Sequence, residues 1–186
     1  EARPKAWRDA IAWAALDLSG PYRTTFNDSL PKATQVADPF HVVKLANEKL
    51  DDVRRRVQQE TLGHRGRKDD PLYRSRRLLT KGHERLDDTG EAKLLNFLEA
   101  GDPKGEVRMA WHAKETLRGL YDQTARAAAG YLAELVEALL EGEQAKELQQ
   151  LGRTLRRWGD QCWRSAKVAC RDQRKSRCRV GCSSGW

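Results

Sequence analysis

Two short apolar runs, each ended by an aspartate, constrain this chain more than any other feature. Residues 11–16, Ile-Ala-Trp-Ala-Ala-Leu, stop at Asp17, and residues 33–37, Ala-Thr-Gln-Val-Ala, stop at Asp38. Runs of this length, bounded by turn residues, suit buried strands better than helices. Helical text lies between them. Ser19 is an N-cap candidate, Pro21 falls in the first turn, Tyr22, Phe26 and Leu30 recur at helical spacing, and Pro31 stops the helix. Pro39 opens the next helix. Strand, helix, strand, helix is the order of a βαβ unit, so the strands are expected to pair in parallel. Both aspartates then fall at the carboxyl ends of the strands, the edge where open α/β sheets gather ligands and metals. Two strands do not make a stable sheet alone. With no initiator Met at residue 1, the rest of the sheet is expected upstream.

From residue 39 to 158 the text is almost entirely helical. Val43, Ala46, Leu50, Val53 and Val57 form one apolar stripe. Residues 62–71 read as a polar loop, and Leu72 to Leu79 as a short basic helix. Asp88 with Glu91 makes a candidate capping box for a helix carrying Leu94, Leu95 and Leu98, ended at Gly101-Asp102-Pro103. A segment with Val107, Trp111, Leu117, Leu120 and Tyr121 follows. An Ala-rich helix with Tyr131, Leu132, Leu135, Val136 and Leu139 comes next, then a last helix from about Glu143 to Trp158.

Composition excludes several classes. The 186 residues hold 35 Lys+Arg against 27 Asp+Glu, a formal net charge of +8, with 39% hydrophobic residues. That is too apolar for a fully disordered chain. No run of about 18 apolar residues occurs, so no membrane span is expected. Glu1-Ala2-Arg3-Pro4 offers no secretory h-region. A cysteine-free stretch to Trp158 suits a reducing, cytoplasmic setting.

The charge is uneven. Residues 1–158 hold 28 Lys/Arg against 25 acids, whereas residues 159–186 hold seven against two, together with all four cysteines. Cys162, Cys170, Cys178 and Cys182 lack the close paired spacing of zinc sites, and no His follows His112. The tail therefore reads as a basic, unstructured segment with incidental thiols. Within the helical part, residues 54–85 carry eleven Lys/Arg and four acids. Arg54, Arg55, Arg56, Arg65, Arg67, Lys68, Arg74, Arg76 and Arg77 are the candidates for salt-sensitive, sequence-independent phosphate contact. A merely solvated basic face is the alternative.

Asp17 and Asp38 are the candidates for chemistry. Carboxylates converging on divalent ions are what two-metal phosphoryl transfer requires. The plainer alternatives are a turn residue at Asp17 and an N-cap before Pro39 at Asp38. His41 is a ligand or base candidate, or a helix-start histidine with a structural hydrogen bond. His64, His83 and His112 show no partner spacing.

Two stretches together are more specific than any of these signals. Asp17-Leu18-Ser19 with Tyr22, then Pro31, then Asp38 with Phe40-His41-Val42-Val43-Lys44 resembles the DDE-type transposases of bacterial insertion sequences, in the ISL-three-like family. Val53-Arg54 and Leu151-Gly152-Arg153-Thr154-Leu155 fit as well, so the resemblance covers roughly residues 1–158. It implies an α/β RNase H-like core interrupted by a mostly α-helical insertion, predominantly helical overall. Residues 1–47 would be partial core, 48–142 insertion, 143–158 a helix returning to the core, and 159–186 tail. It also implies Mg²⁺ on an Asp-Asp-Glu triad, DNA transposon ends as partner, DNA cleavage and strand transfer as activity, and compatibility with a homo-oligomer. Asp17 matches the second triad acid and metal ligand best, and Asp38 a supporting catalytic or structural position.

The sequence departs from the family pattern in two places. The strand bearing the first acid is not in it, and no Glu follows Glu147. Both point to a fragment, frameshifted near residue 160, that lacks strand-transfer activity of its own. A non-catalytic basic helical DNA-binding protein is the alternative.

Overall fold

The structure is a computed structural model that describes residues 3–166 and 168. The chain divides into two compact units, one of Glu1–Val42, Gly119–Glu134 and Leu155–Trp186, the other of Val43–Arg118 and Leu135–Thr154. Residues 119–134 fall in the same unit as the two strands.

In the first unit, α1 (Lys5–Asp9) precedes β1 (Trp13–Leu16), α2 (Gly20–Ser29) and β2 (Thr34–Ala37). The strands pair in parallel with Trp13 opposite Thr34 and Leu16 opposite Ala37. The intervening helix makes this possible, because a parallel pair needs a crossover rather than a tight turn. Two expectations change here. β1 is buried on one face only: Ala14 and Leu16 are in the core, while Trp13 and Ala15 are exposed. α2 buries none of its residues, and Tyr22 is 56% exposed. Its two large apolar side chains, four residues apart, make too narrow a stripe to bind it to the core among eight smaller or polar residues. Ser19 does occupy the N-cap position with extended backbone, without a side-chain capping bond.

α3 (Pro39–Leu62) starts in this unit and continues into the second. Its buried stripe is Val42, Ala46, Leu50, Val53 and Val57, with Val42 rather than Val43 in the core. The spacing of four, four, three and four keeps all five on one face.

The second unit adds α4 (Pro71–Thr80), α5 (Asp88–Gly101), α6 (Glu106–Gly119), and parts of α7 (Ala128–Leu140) and α8 (Lys146–Arg157). The cap of α5 lies one residue earlier than Asp88. Asp87 has extended backbone, and its Oδ1 accepts from the Gly90 amide at 2.9 Å. α4 and α5 approach closely at Gly101, where a Cβ would lie 2.8 Å from Cγ of Leu72.

The helical text does not end at Trp158. Residues 159–166 form a further helix, α9, in the first unit, and Trp158, Cys162, Ser165 and Ala166 are buried. Part of the expected unstructured tail is therefore ordered core. Trp158, Cys162 and Ala166 recur every four residues, a stripe that a search for Leu and Val passes over. Burial pushes the Cys162 thiol up to about 12. Cys170, Cys178 and Cys182 lie outside the described residues.

Candidate carboxylate edge and nucleic-acid interface

The parallel register brings Asp17 and Asp38 to the same edge. Each follows the last residue of its strand, those residues face each other as Leu16 and Ala37, and the Asp38 amide donates to Leu16 O at 2.7 Å. Asp17 is exposed, and its carboxylate makes no hydrogen bond or ion pair among the described residues. The next residue, Leu18, has φ +64°. A left-handed backbone at a side-chain-bearing residue costs about 1–2 kcal/mol, and such outliers cluster at functional sites. Spacing gave no signal of it.

Asp38 is differently placed. Its Oδ1 accepts from the Phe40 amide at 2.9 Å, and its Oδ2 lies 3.1 Å from Nδ1 of His41. It therefore caps α3 and orients His41 at once. In the same unit, burial holds the Tyr121 phenol above its ordinary range, with Cys162 and Asp38 adding to that shift. Tyr22 and Phe40, in the first turns of α2 and α3, are exposed at 56% and 68%. In the same unit the Arg157 guanidinium packs near Gly20, where a Cβ would lie 3.8 Å from it, and Arg23 lies over the Trp158 ring at 5.2 Å.

Oxygen donors are the right chemistry for Mg²⁺. Asp17 has free lone pairs, and each oxygen of Asp38 has one bond made and capacity left. Among the described residues no group of three or more His, Cys, Asp or Glu is arranged to hold a metal ion.

The second unit sorts the nine basic candidates into two kinds. Arg54 is only 5% exposed; its Nε donates to Asp51 at 2.8 Å and its Nη1 to Gln58 at 3.0 Å. Arg55 is exposed and paired to the same Asp51. Arg56 sits among three carboxylates, with Glu106 at 2.5 Å, Glu147 at 2.9 Å and Glu60 at 3.2 Å. These bonds, led by Glu106, hold the Arg56 guanidinium well above its ordinary pKa. In Glu147 burial works upward, but the Arg56 hydrogen bond, with further help, leaves the carboxyl below its ordinary range. Arg76 lies over the Tyr73 ring at 3.8 Å, and Arg74 over Phe97 at 4.9 Å. Arg65, Arg67, Lys68 and Arg77 are exposed and make no ion pair among the described residues.

Lys114 carried no signal in the sequence, yet it fixes the far end of this basic region. It is 1% exposed and donates to Leu79 O at 2.6 Å and Lys81 O at 2.7 Å, at the C-terminus of α4. A cation there satisfies carbonyls that the helix leaves unbonded and complements its dipole. Burial holds the ammonium below the ordinary lysine range, with Glu115 acting against it. One turn on, Arg118 binds Glu84, and those hydrogen bonds bring the Glu84 carboxyl down to about 2.

A family model described as Transposase, that of the ISL3-type DDE transposases, matches residues 1–170. The chain belongs to this transposase family. The match runs past Trp158 and takes in the α9 helix of this transposase, consistent with the burial of Trp158 and Cys162. No curated protein and no solved structure matches the chain. Among the described residues of the transposase, no helix is long and apolar enough to cross a membrane.

Proposed function

We propose that this transposase chain contributes the Asp17–Asp38 edge to a divalent-metal site for DNA cleavage and strand transfer, within an RNase H-like core that the helical second unit interrupts. One observation carries the reading: two aspartates of the family-matched segment stand side by side at the carboxyl ends of parallel strands in register. Mg²⁺, when bound, would supply a Lewis acid for phosphoryl oxygens and an activated hydroxyl nucleophile. Asp17, with its unengaged carboxylate, is the direct ligand. Asp38 is the supporting residue: it caps α3, positions His41 and retains acceptor capacity on both oxygens. Two-metal transfer needs several converging carboxylates. Asp17 and Asp38 are part of such a site, not the whole of it, so no strand cleavage is expected of this chain alone.

DNA is the partner, held through its phosphates by the exposed cations of the second unit. Arg65, Arg67, Lys68, Arg74 and Arg77 are the contact residues; Arg54 and Arg56 act by shaping the surface.

Mn²⁺ binding followed by water-proton relaxation tests the metal reading. Weak but saturable binding is expected, lost in Asp17→Asn and reduced in Asp38→Asn. Equal binding by wild type and Asp17→Asn would refute it. A second reading, a basic DNA-binding protein without metal chemistry, is favoured by the free cations around α4. It predicts salt-sensitive DNA affinity that survives both substitutions and shows no response to Mn²⁺.

A further inference from the structure

The loop between α3 and α4 carries three of the free cations and is tied down from beneath. Arg54, buried and held by Asp51, donates to Oε1 of Gln58 at 3.0 Å. Gln58 is 0% exposed, and its Nε2 donates to Oδ2 of Asp70 at 3.1 Å. The same Asp70 oxygen accepts from the Arg67 amide, and the Asp70 amide donates back to Arg67 O at 3.1 Å. Inside the loop, the Gly66 amide donates to Nδ1 of His64 at 3.2 Å. Gly66 has φ +116°, and a Cβ there would lie 2.7 Å from the Gln58 amide nitrogen. The loop backbone thus lies directly on a buried amide, and only glycine allows that approach.

Burying a guanidinium and an amide yields little net stability, since their bonds replace bonds to water. What the relay does fix is loop conformation. It holds the loop that carries Arg65, Arg67 and Lys68, three exposed cations within four residues, where like charges repel. A polyanion offsets that repulsion and releases counterions on binding.

We infer that residues 63–70 form a preorganised phosphate-binding loop for the backbone of duplex DNA, with Asp70 and Gln58 as its positioning residues. The inference rests on the DNA-binding reading above and adds a residue of the wrong charge to the interface. Removing Asp70 takes away a negative charge and would, on electrostatics alone, strengthen DNA binding. Through lost preorganisation it weakens it. Asp69 is the matched control: an exposed neighbour with the same charge and no bond among the described residues.

The test measures anisotropy of a labelled short duplex with the full chain across a range of salt. Asp69→Ala is expected to raise affinity about twofold. Asp70→Ala is expected to lower it about five- to tenfold and to flatten the slope of log K against log salt by about 1–2, as one or two phosphate contacts are lost. Asp70→Asn retains one acceptor oxygen and is expected to fall between wild type and Asp70→Ala. If Asp70→Ala melts early, Asp70→Asn carries the comparison. Equal, same-direction effects of the Asp69 and Asp70 substitutions would overturn the positioning role while leaving salt-dependent binding intact. Wild-type binding that ignores salt would overturn the DNA reading itself, and the inference with it.

Discussion

Arg56→Met separates the two kinds of basic residue most sharply. Charge counting assigns Arg56 to the DNA surface, but its side chain is 19% exposed and binds Glu60, Glu106 and Glu147, which come from three helices of the second unit. Methionine keeps most of the stem volume and removes the guanidinium. Three carboxylates are then left facing one another, one of them on the 5% exposed Glu147. Removing one member of a buried ion network costs about 3–5 kcal/mol. Partial solvent access at Glu60 screens part of that, which leaves about 3 kcal/mol. For a chain of this size the loss corresponds to a fall of about 6–12 °C in Tm. The measurement is thermal and urea unfolding at neutral pH. The pH dependence has a definite sign. The folded-state pKa of Glu147 lies below its unfolded value, so its contribution is present above about 4.5 and is lost as pH falls. Arg56→Met lacks that contribution already, so the gap from wild type closes in acid. Glu106→Gln in the Arg56→Met background is expected to restore part of the loss. A variant within 1 kcal/mol of wild type that binds duplex DNA tenfold more weakly would refute the reasoning and return Arg56 to the interface.

Further outcomes follow from the same packing. Lys114→Met is expected to cost about 2–4 kcal/mol in urea unfolding, because two carbonyls at the end of α4 lose a buried donor; a change below 1 kcal/mol would contradict the clamp. Gly66→Ala is expected to cost at least about 1 kcal/mol, through strain at positive φ and contact with Gln58, and to weaken DNA binding alongside. Cys162 has a folded-state pKa raised to about 12. Its contribution to stability is therefore full below the unfolded value near 9 and declines as pH rises toward 12. Peptide mapping after brief alkylation at neutral pH is expected to find Cys162 unmodified, and modified once urea unfolds the chain.

The strand pair and the helices were legible because local patterns determine them. Apolar runs closed by Asp17 and Asp38 set the strands, and Pro21 and Pro39 set helix starts. The parallel pairing that puts both aspartates at carboxyl ends followed from the βαβ order, and the register that sets Leu16 opposite Ala37 came only with the structure. What local pattern could not show is which side chains find partners across the fold. Arg54, Arg56 and Arg77 look alike in the sequence, yet Asp51, Gln58, Glu106 and Glu147 decide that the first two serve structure. The buried Lys114 is invisible for the same reason: its acceptors lie over thirty residues earlier in the chain. α9 was missed because its buried face is made of Trp, Cys and Ala rather than Leu and Val. The left-handed Leu18 and the Asp87 cap depend on backbone geometry that residue type alone does not specify.

The central claim is a metal-binding edge at Asp17 and Asp38, and hydroxyl-radical mapping tests it most directly. Fe²⁺ in place of Mg²⁺, with ascorbate and peroxide, cuts the backbone next to the bound ion. Cuts are expected to cluster at residues 16–19 and 37–41, to be suppressed by excess Mg²⁺ and to be absent in Asp17→Asn. Cuts elsewhere in the chain, or the same cuts in Asp17→Asn, would contradict it.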